Sequence, residues 1–197
     1  MSESDPAPHK GWYSRGYLPH CDEPGRVQAI TYRLADSIPT QLIAEWPALA
    51  EQMSDQIRAR YHAVLDEGRG ACVLRRPDIA TLVQDSLLHY DGSHYRLLAW
   101  VIMPNHVHII VELVPGHALP AIVRDWKSFS AYQINHLLQS EGKLWSRDYF
   151  DRYMRNEAHL QQAITYAEYN PVKAGLVQTP EEWPFGSACW RAHHGGG

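Results

Sequence analysis

Two histidines that share one side of a predicted strand are the first residues with metal-binding potential. His106 and His108 flank Val107, directly after the turn residues Pro104 and Asn105. Alternate side chains of a strand point to the same face, so the two imidazoles project together while Val107 points into the core. Such a pair can chelate one cation and leave coordination positions open for a substrate. A pair of half-buried histidines beside a turn is the alternative interpretation.

A tyrosine and an asparagine four residues apart form the second candidate group. Tyr166 and Asn170 lie near the end of a predicted helix, where positions i and i+4 share a face. The amide oxygen would complete a nitrogen–nitrogen–oxygen ligand set suited to Mg²⁺ or Mn²⁺. A phenol is a nucleophile that can form a covalent ester. Spacing alone also allows packing roles, in which Tyr169 would be the equal of Tyr166.

The elements that must position these groups alternate between strand and helix patterns. Strands are predicted at residues 27–34, 95–103 and 107–114. Helices are predicted from about residue 40 with a kink or break at Pro47, around 54–65, from Pro77, at 119–140 and at 156–169. The 119–140 helix has a predicted apolar stripe at Ile122, Trp126, Phe129, Tyr132 and Leu137. Two adjacent buried strands joined by a short turn predict a hairpin. The whole pattern indicates an α+β fold, one antiparallel sheet with helices packed on it.

Composition limits the class of protein. With 197 residues, the chain is shorter than the roughly 250 residues of a typical (β/α)₈ barrel, which disfavours a barrel amidohydrolase. Ile110 stands where a histidine-triad hydrolase needs its third histidine. The three cysteines are far apart, and no apolar run reaches the roughly 18 residues of a membrane span, so we expect a cytoplasmic protein with no membrane association.

Three segments together carry a resemblance to a known family. MPNHVHIIV, DYFDRYMRN and YAEYNPVKAGLV resemble the REP-associated tyrosine transposases, which belong to the single-tyrosine HUH endonucleases of the IS200-like transposase superfamily. The resemblance covers roughly residues 15–190. It implies a single HUH domain of ferredoxin-like type, a central antiparallel sheet flanked by helices. It also implies that His106, His108 and Asn170 are the metal ligands and that Tyr166, not Tyr169, is the nucleophile.

The activity that this resemblance implies is metal-dependent cleavage and rejoining of single-stranded DNA. The enzyme would use Mg²⁺ or Mn²⁺, act on REP-type hairpins through a covalent 5′-phosphotyrosine, and work in the cytoplasm at the nucleoid as a monomer rather than a homodimer. Candidate DNA contacts are Arg15, Lys127, Arg147, Arg152, Arg155 and Lys173. Trp126, Trp145 and Tyr149 could stack on bases, although core packing is favoured for the two tryptophans.

The domain organisation expected from the sequence has four parts. Residues 1–25 form an arm, residues 26–190 the catalytic domain, residues 41–77 a helical insertion within it, and residues 191–197 a disordered tail.

The net charge of −4 argues against a general nucleic-acid coat protein. Residues 95–177, which contain every motif, carry 8 basic and 7 acidic side chains, so the acidity lies mostly elsewhere. We expect basic residues on one face and the 41–77 segment away from the DNA. Three alternatives remain: a domesticated hairpin-binding protein without cleavage, a replication-initiator or relaxase-type nickase, and an unrelated metallohydrolase.

Overall fold

The computed structural model describes residues 11–14, 19–22, 25–39 and 55–194, with side chains over 25–39 and 59–194. The strands in this part of the chain are β1 (Gly11–Ser14), β2 (Pro19–Asp22), β3 (Val27–Arg33), β4 (Tyr95–Ile102), β5 (His106–Leu113) and β6 (Phe150–Tyr153). The α-helices are α1 (Asp55–Asp66), α2 (Pro77–Leu88), α3 (Leu119–Leu138), α4 (Glu157–Lys173) and α5 (Ser187–His194). Short 3₁₀ turns occupy Val73–Arg75 and Pro180–Glu182.

Four of these strands form the central sheet. Its order is β4-β5-β3-β6, and every neighbouring pair is antiparallel, whereas β1 and β2 pair separately. The predicted hairpin is the β4–β5 pair, and β3 aligns Thr31 with His108 and Arg33 with His106. The α+β prediction, a central antiparallel sheet flanked by helices, is confirmed.

One face of the sheet carries the larger apolar core. Val107, Ile109 and Val111 of β5 point to this face and pack with buried side chains of α2 and α3, such as Val83 and Trp126. All three valine and isoleucine side chains are fully buried. At roughly 25 cal/mol per Å² of apolar surface, burial of each contributes about 2 kcal/mol. This face therefore fixes the register of β5, which determines where the histidines point.

The opposite face of the sheet receives α4. Ile110 of β5 and Ala99 and Val101 of β4 pack against Ala167, so the helix lies close to the sheet. Because side chains alternate along β5, His106 and His108 lie on this face with Ile110. The predicted orientation of the pair, opposite to Val107, is confirmed.

The buried stripe of α3 differs in part from the predicted one. Ile122 and Trp126 are buried, but Phe129, Tyr132 and Leu137 are 49%, 71% and 43% exposed, so the prediction was wrong for these three. The buried positions are Leu119, Ile122, Val123, Trp126, Ser130 and Ile134. The small Ser130 hydroxyl is buried because it accepts a hydrogen bond from the Trp145 indole at 3.0 Å. The side of α3 that faces the core therefore includes Ser130, beside the Trp145 indole. A pattern of hydrophobic residues alone does not predict a buried serine.

The end of α4 was also predicted wrongly. The helix does not end at Tyr169 but continues through Asn170 and Pro171 to Lys173. Proline removes one backbone donor, and that loss is small in a last turn. The carbonyls of Asn170 and Pro171 accept from the amides of Ala174 and Leu176, both at 2.9 Å, which satisfies the helix end.

Several predicted segments lie partly or wholly outside the described residues. These are most of the 1–25 arm and the helix from residue 40 with its break at Pro47. The last helix extends to His194 and so includes four residues of the segment 191–197. In the described part of the chain, no helix combines the length and apolar character needed to cross a bilayer.

Candidate active site

The two histidines meet on the α4 side of the sheet. His106 and His108 are 0% and 4% exposed, and their Nε2 atoms are 3.0 Å apart. Their rings cross at an interplanar angle of 83°. Two ring nitrogens therefore converge on one point beneath α4, the arrangement expected of a pair that chelates one cation.

Neighbouring polar side chains fix the orientation of both rings. Asn105 Oδ1 lies 2.7 Å from Nδ1 of His106, and Thr31 Oγ1 lies 2.8 Å from Nδ1 of His108. When each Nδ1–H donates to its oxygen, each Nε2 presents a lone pair to the other. Asn105 Nδ2 also donates to the backbone oxygens of Leu65 and Arg69, at 3.3 and 3.0 Å. The turn before β5 thus connects the histidine pair to the end of α1.

Two further oxygen donors border the pair. Asp66, His106 and His108 offer ligand atoms that all lie within 4.8 Å of one another. Asn170 Nδ2 lies 3.4 Å from His108 Nε2, so a half-turn of the amide would direct Oδ1 to the same point. Asp66 Oδ1 and Asn170 Oδ1 are buried without a hydrogen-bond partner. Buried oxygens are rarely left unsatisfied, and these two with the Nε2 atoms form a set of ligand atoms that fits a divalent cation.

Electrostatics keeps the pair uncharged at neutral pH. Burial, reinforced by the neighbouring His62, lowers the pKa of His106 to about 3. Burial and the nearby His106, His62 and Lys173 hold the pKa of His108 well below its usual value. Neutral imidazole is the form that binds a metal.

Tyr166 lies beside this pair. Its ring centroid is 5.5 Å from that of His108 and 5.6 Å from that of His62 on α1. Burial first, and then the Asp66 carboxylate, raise the pKa of Tyr166 above its usual value, while a hydrogen bond with Asn170 acts in the opposite direction. Tyr169, on the same helix, is 54% exposed. The structure therefore brings Tyr166, and not Tyr169, to the histidines.

Lys173 links α4 to the acidic residue of the site. Its Nζ lies 2.8 Å from Asp66 Oδ2 and 5.5 Å from the centroid of the Tyr166 ring. The lysine side chain is 58% exposed and the aspartate side chain 12% exposed. One ammonium group therefore balances the buried carboxylate and stays open to solvent next to the phenol.

The other predicted DNA contacts are scattered. Arg152 lines a cavity beside Tyr166, and Arg147 and Arg155 are exposed. Lys127 Nζ donates to the backbone oxygens of Ser146 and Arg147, at 2.7 and 3.0 Å, so its ammonium group is bound to the protein's own backbone. Arg15 lies outside the described residues.

The aromatic residues suggested for base stacking lie in the core. Trp126, Trp145 and Tyr149 are 1%, 6% and 4% exposed. The Trp126 indole donates to Tyr95 Oη at 2.8 Å, and that of Trp145 donates to Ser130. The core packing that was favoured for the two tryptophans is confirmed, and the stacking prediction was wrong for all three.

Sequence reasoning missed the contribution of α1. His62 and Asp66 stand four residues apart on this helix and therefore share a face. That spacing was the available signal, but the 41–77 segment carried no assigned role and was expected to lie away from the DNA. The 3.9 Å distance from Asp66 Oδ1 to His106 Nε2 instead puts α1 at the site.

An antiparallel sheet that presents a buried histidine pair to a helical tyrosine is the arrangement of a single-tyrosine HUH protein. The chain belongs to the IS200-like transposase family, whose model matches residues 56–170. The match begins inside α1 and ends at Asn170. The family predicted from the three motifs is confirmed.

Two curated relatives and one solved structure are similar to the chain. A Haemophilus influenzae protein assigned as a REP-associated tyrosine transposase is 26% identical over 109 residues, 50% of this chain and 60% of the relative. The REP-associated tyrosine transposase of Escherichia coli K12 is 28% identical over 91 residues, 46% of this chain and 53% of the relative. The chain thus matches little more than half the length of each.

The solved structure is of a REP-associated tyrosine transposase bound to a REP hairpin. It has a TM-score of 0.55 and 19% sequence identity, and the match covers 99% of this chain and 87% of that one. At this identity, the likeness supports the fold.

Proposed function

We propose that this protein cleaves and rejoins single-stranded DNA at REP-type hairpins through a covalent 5′-phosphotyrosine at Tyr166. The observation that carries the proposal is the position of the Tyr166 ring, 5.5 Å from His108, on the helix that also supplies Asn170. The Tyr166 phenol and the side chains proposed as metal ligands therefore lie on one face of one sheet.

The reaction is a transesterification. The Tyr166 oxygen attacks the scissile phosphorus, a new phosphorus–oxygen bond forms, and the bond from phosphorus to the 3′ oxygen breaks. The phenol loses one proton and the departing 3′ oxygen gains one, so no net proton is consumed. Because the phosphodiester is conserved in the phosphotyrosine, a 3′-hydroxyl can reverse the step and rejoin strands without ATP.

His106, His108, Asp66 and Asn170 would hold the divalent cation. When bound there, Mg²⁺ or Mn²⁺ supplies positive charge that polarises the scissile phosphate. Asn105 and Thr31 orient the two imidazoles for this role, as residues behind metal ligands generally do. Burial keeps both imidazoles neutral and competent to bind.

Lys173 has a separate role in the proposal. Its exposed ammonium group lies above the Tyr166 ring and beside Asp66. From this position it can contact a phosphate brought to the tyrosine. Among the predicted DNA contacts that the structure describes, Lys173 contacts the Tyr166 ring and Arg152 lines the cavity beside it, which supports a role for these two.

The substrate is proposed from the relatives. The solved structure of a REP-associated tyrosine transposase contains a REP hairpin, and both curated relatives carry that family's name. The small net charge agrees with a protein that makes local contacts to a folded hairpin rather than coating DNA.

The test is a cleavage assay on a REP hairpin with unpaired flanks, in Mn²⁺, labelled at either its 5′ or its 3′ end. Formation of a 5′-phosphotyrosine transfers the 3′-terminal label to protein on a denaturing gel and leaves the 5′-terminal label on free DNA. Tyr166→Phe should abolish the adduct, and the matched variant Tyr169→Phe should keep it. Hairpin binding without any adduct in the wild-type protein would favour the domesticated binder and contradict the proposal.

A further inference from the structure

A cavity of about 490 Å³ adjoins the proposed nucleophile. Tyr166 and His108 line it, together with Thr31 and Ile110 of the central sheet. Its volume lies within the range of pockets that bind small ligands, about 300–1,000 Å³. The cavity is therefore continuous with the site of the proposed chemistry and large enough to hold a planar heterocycle.

The walls of this cavity combine aromatic rings with small residues. Phe150 of β6 and His62 of α1 both line it, with ring centroids 5.7 Å apart. Phe150 is 6% exposed, and Met154 of the same region is 8% exposed. Alanines occupy four of the lining positions, at residues 29, 59, 163 and 167, and leave the space that larger side chains would fill. Aromatic and apolar walls of this kind stack well on a nucleobase.

Helix α4 contributes three of the polar side chains that line the cavity. His159, Gln162 and Tyr166 are spaced along α4 so that they face the cavity together, and Arg152 lies on the β6 side. The Gln162 amide offers one donor group and one acceptor, which can pair with the edge of a base. The adjacent Gln161 is not part of the lining, because its amide donates along the helix to Glu157 at 2.8 Å.

We propose that this cavity binds the unpaired nucleobase next to the scissile phosphate, and that Gln162 determines which base is accepted. The inference rests on the proposed function, because a strand whose phosphate reaches Tyr166 must place a neighbouring nucleotide close to that residue. The aromatic and apolar wall that includes Phe150 holds the base, and the Gln162 amide distinguishes its edge.

The first experiment measures base preference. Substrates carry each of the four bases at each unpaired position beside the cleavage point, and adduct yield is compared between wild type, Gln162→Ala and Gln161→Ala. We expect wild type and Gln161→Ala to prefer the same base at one adjoining position. In Gln162→Ala the ratio of adduct yields between the preferred base and the others should fall about tenfold, a typical contribution of a base-edge contact. An unchanged preference in Gln162→Ala would overturn the role of this residue.

The second experiment does not require cleavage. In the Tyr166→Phe background, 2-aminopurine is placed in turn at each unpaired position, and its fluorescence is measured on binding. Stacking in the cavity predicts strong quenching at the position next to the cleavage point. Ala163→Leu, which fills the cavity, should abolish this quenching, whereas Ala158→Leu, at an exposed position of the same helix that is not part of the lining, should preserve it.

The two experiments separate the failure of this inference from that of the proposed function. No adduct together with quenching that Ala163→Leu removes would contradict the cleavage chemistry and support the cavity assignment. Equal quenching in Ala163→Leu and Ala158→Leu, with both variants folded by circular dichroism, would overturn the cavity assignment even if wild-type protein forms the adduct.

Discussion

His106 and His108 are buried in a form that cannot easily accept a proton. The pKa of His106 is lowered to about 3, against an ordinary value of 6.5 in the unfolded chain, and that of His108 is lowered as well. A group with a depressed folded pKa stabilises the fold above its unfolded pKa, and this stability is lost as the pH falls towards the folded pKa. Acid sensitivity between about pH 6.5 and pH 3 is therefore a property of the site itself.

The first prediction concerns this acid sensitivity in chelator-treated protein. Below pH 6.5 the free energy of unfolding should fall by up to about 1.4 kcal/mol per pH unit for each of the two histidines. His106→Gln should flatten the slope by about one such contribution, while His89→Gln, at an exposed position, should leave it unchanged. Urea unfolding at pH 7, 6, 5 and 4 measures the slope, and equal slopes for His106→Gln and wild type would contradict the assignment.

The second prediction tests the acidic ligand. Mutation of a residue that orients a metal ligand typically weakens metal binding by about 10- to 100-fold. Because Asp66 is proposed as a ligand itself, loss of its carboxylate should weaken Mn²⁺ binding by at least that factor. Calorimetric titration of Asp66→Asn measures this. Asp85→Asn on the exposed side of α2 is the control and should bind as wild type does. Wild-type affinity in Asp66→Asn would show that this carboxylate is not a ligand.

The sequence identified some of these residues and not others, for a physical reason. The His-Val-His alternation and the Tyr166–Asn170 spacing are local patterns, and the structure brings all four side chains together. Asp66 and Thr31 reach the same place only through tertiary packing of α1 and pairing of β3 with β5. Local periodicity contains no information on such contacts.

At the scale of elements, α4 is the helix on which the account depends. It begins at the cap residue Asn156, whose side chain accepts from the His159 amide at 2.9 Å. Most helices and strands were predictable because hydrophobic periodicity and capping residues are patterns of residues close together in the sequence. The strand β6 was missed because its four residues lie in a mixed aromatic and charged segment, and only pairing with β3 makes them a strand.

The third prediction concerns the cap of α4. Asn156→Ala should lower the free energy of unfolding by about 1 kcal/mol, since one amide of the first turn loses its acceptor. Asn156→Asp should retain most of the stability because the carboxylate also accepts from that amide. Urea denaturation measures both, and equal stability of Asn156→Ala and wild type would contradict a capping role.

At the scale of the whole molecule, the site is complete within one chain. β5 supplies the histidines, α1 supplies Asp66, and α4 supplies Tyr166 and Asn170. Tyr166 therefore lies beside the imidazoles of its own chain, and activity as a monomer stays a prediction.

The fourth prediction follows from this single-chain arrangement. A mixture of His108→Ala and Tyr166→Phe proteins should form no covalent adduct, because neither chain contains a complete site. Static light scattering of the wild-type protein on the hairpin should give the mass of one chain per DNA. Restored adduct in the mixture would show that the tyrosine acts on the site of a partner copy.

The most direct test of the central claim is to locate the covalent bond. Wild-type protein is incubated with the hairpin substrate and Mn²⁺, digested with nuclease and trypsin, and sequenced by tandem mass spectrometry. Residues 156–173 form one tryptic peptide, bounded by Arg155 and Lys173, that contains both Tyr166 and Tyr169. We predict a nucleotide attached through its 5′ phosphate to Tyr166, and attachment to Tyr169, or a peptide that stays unmodified while DNA is cut, would contradict the account.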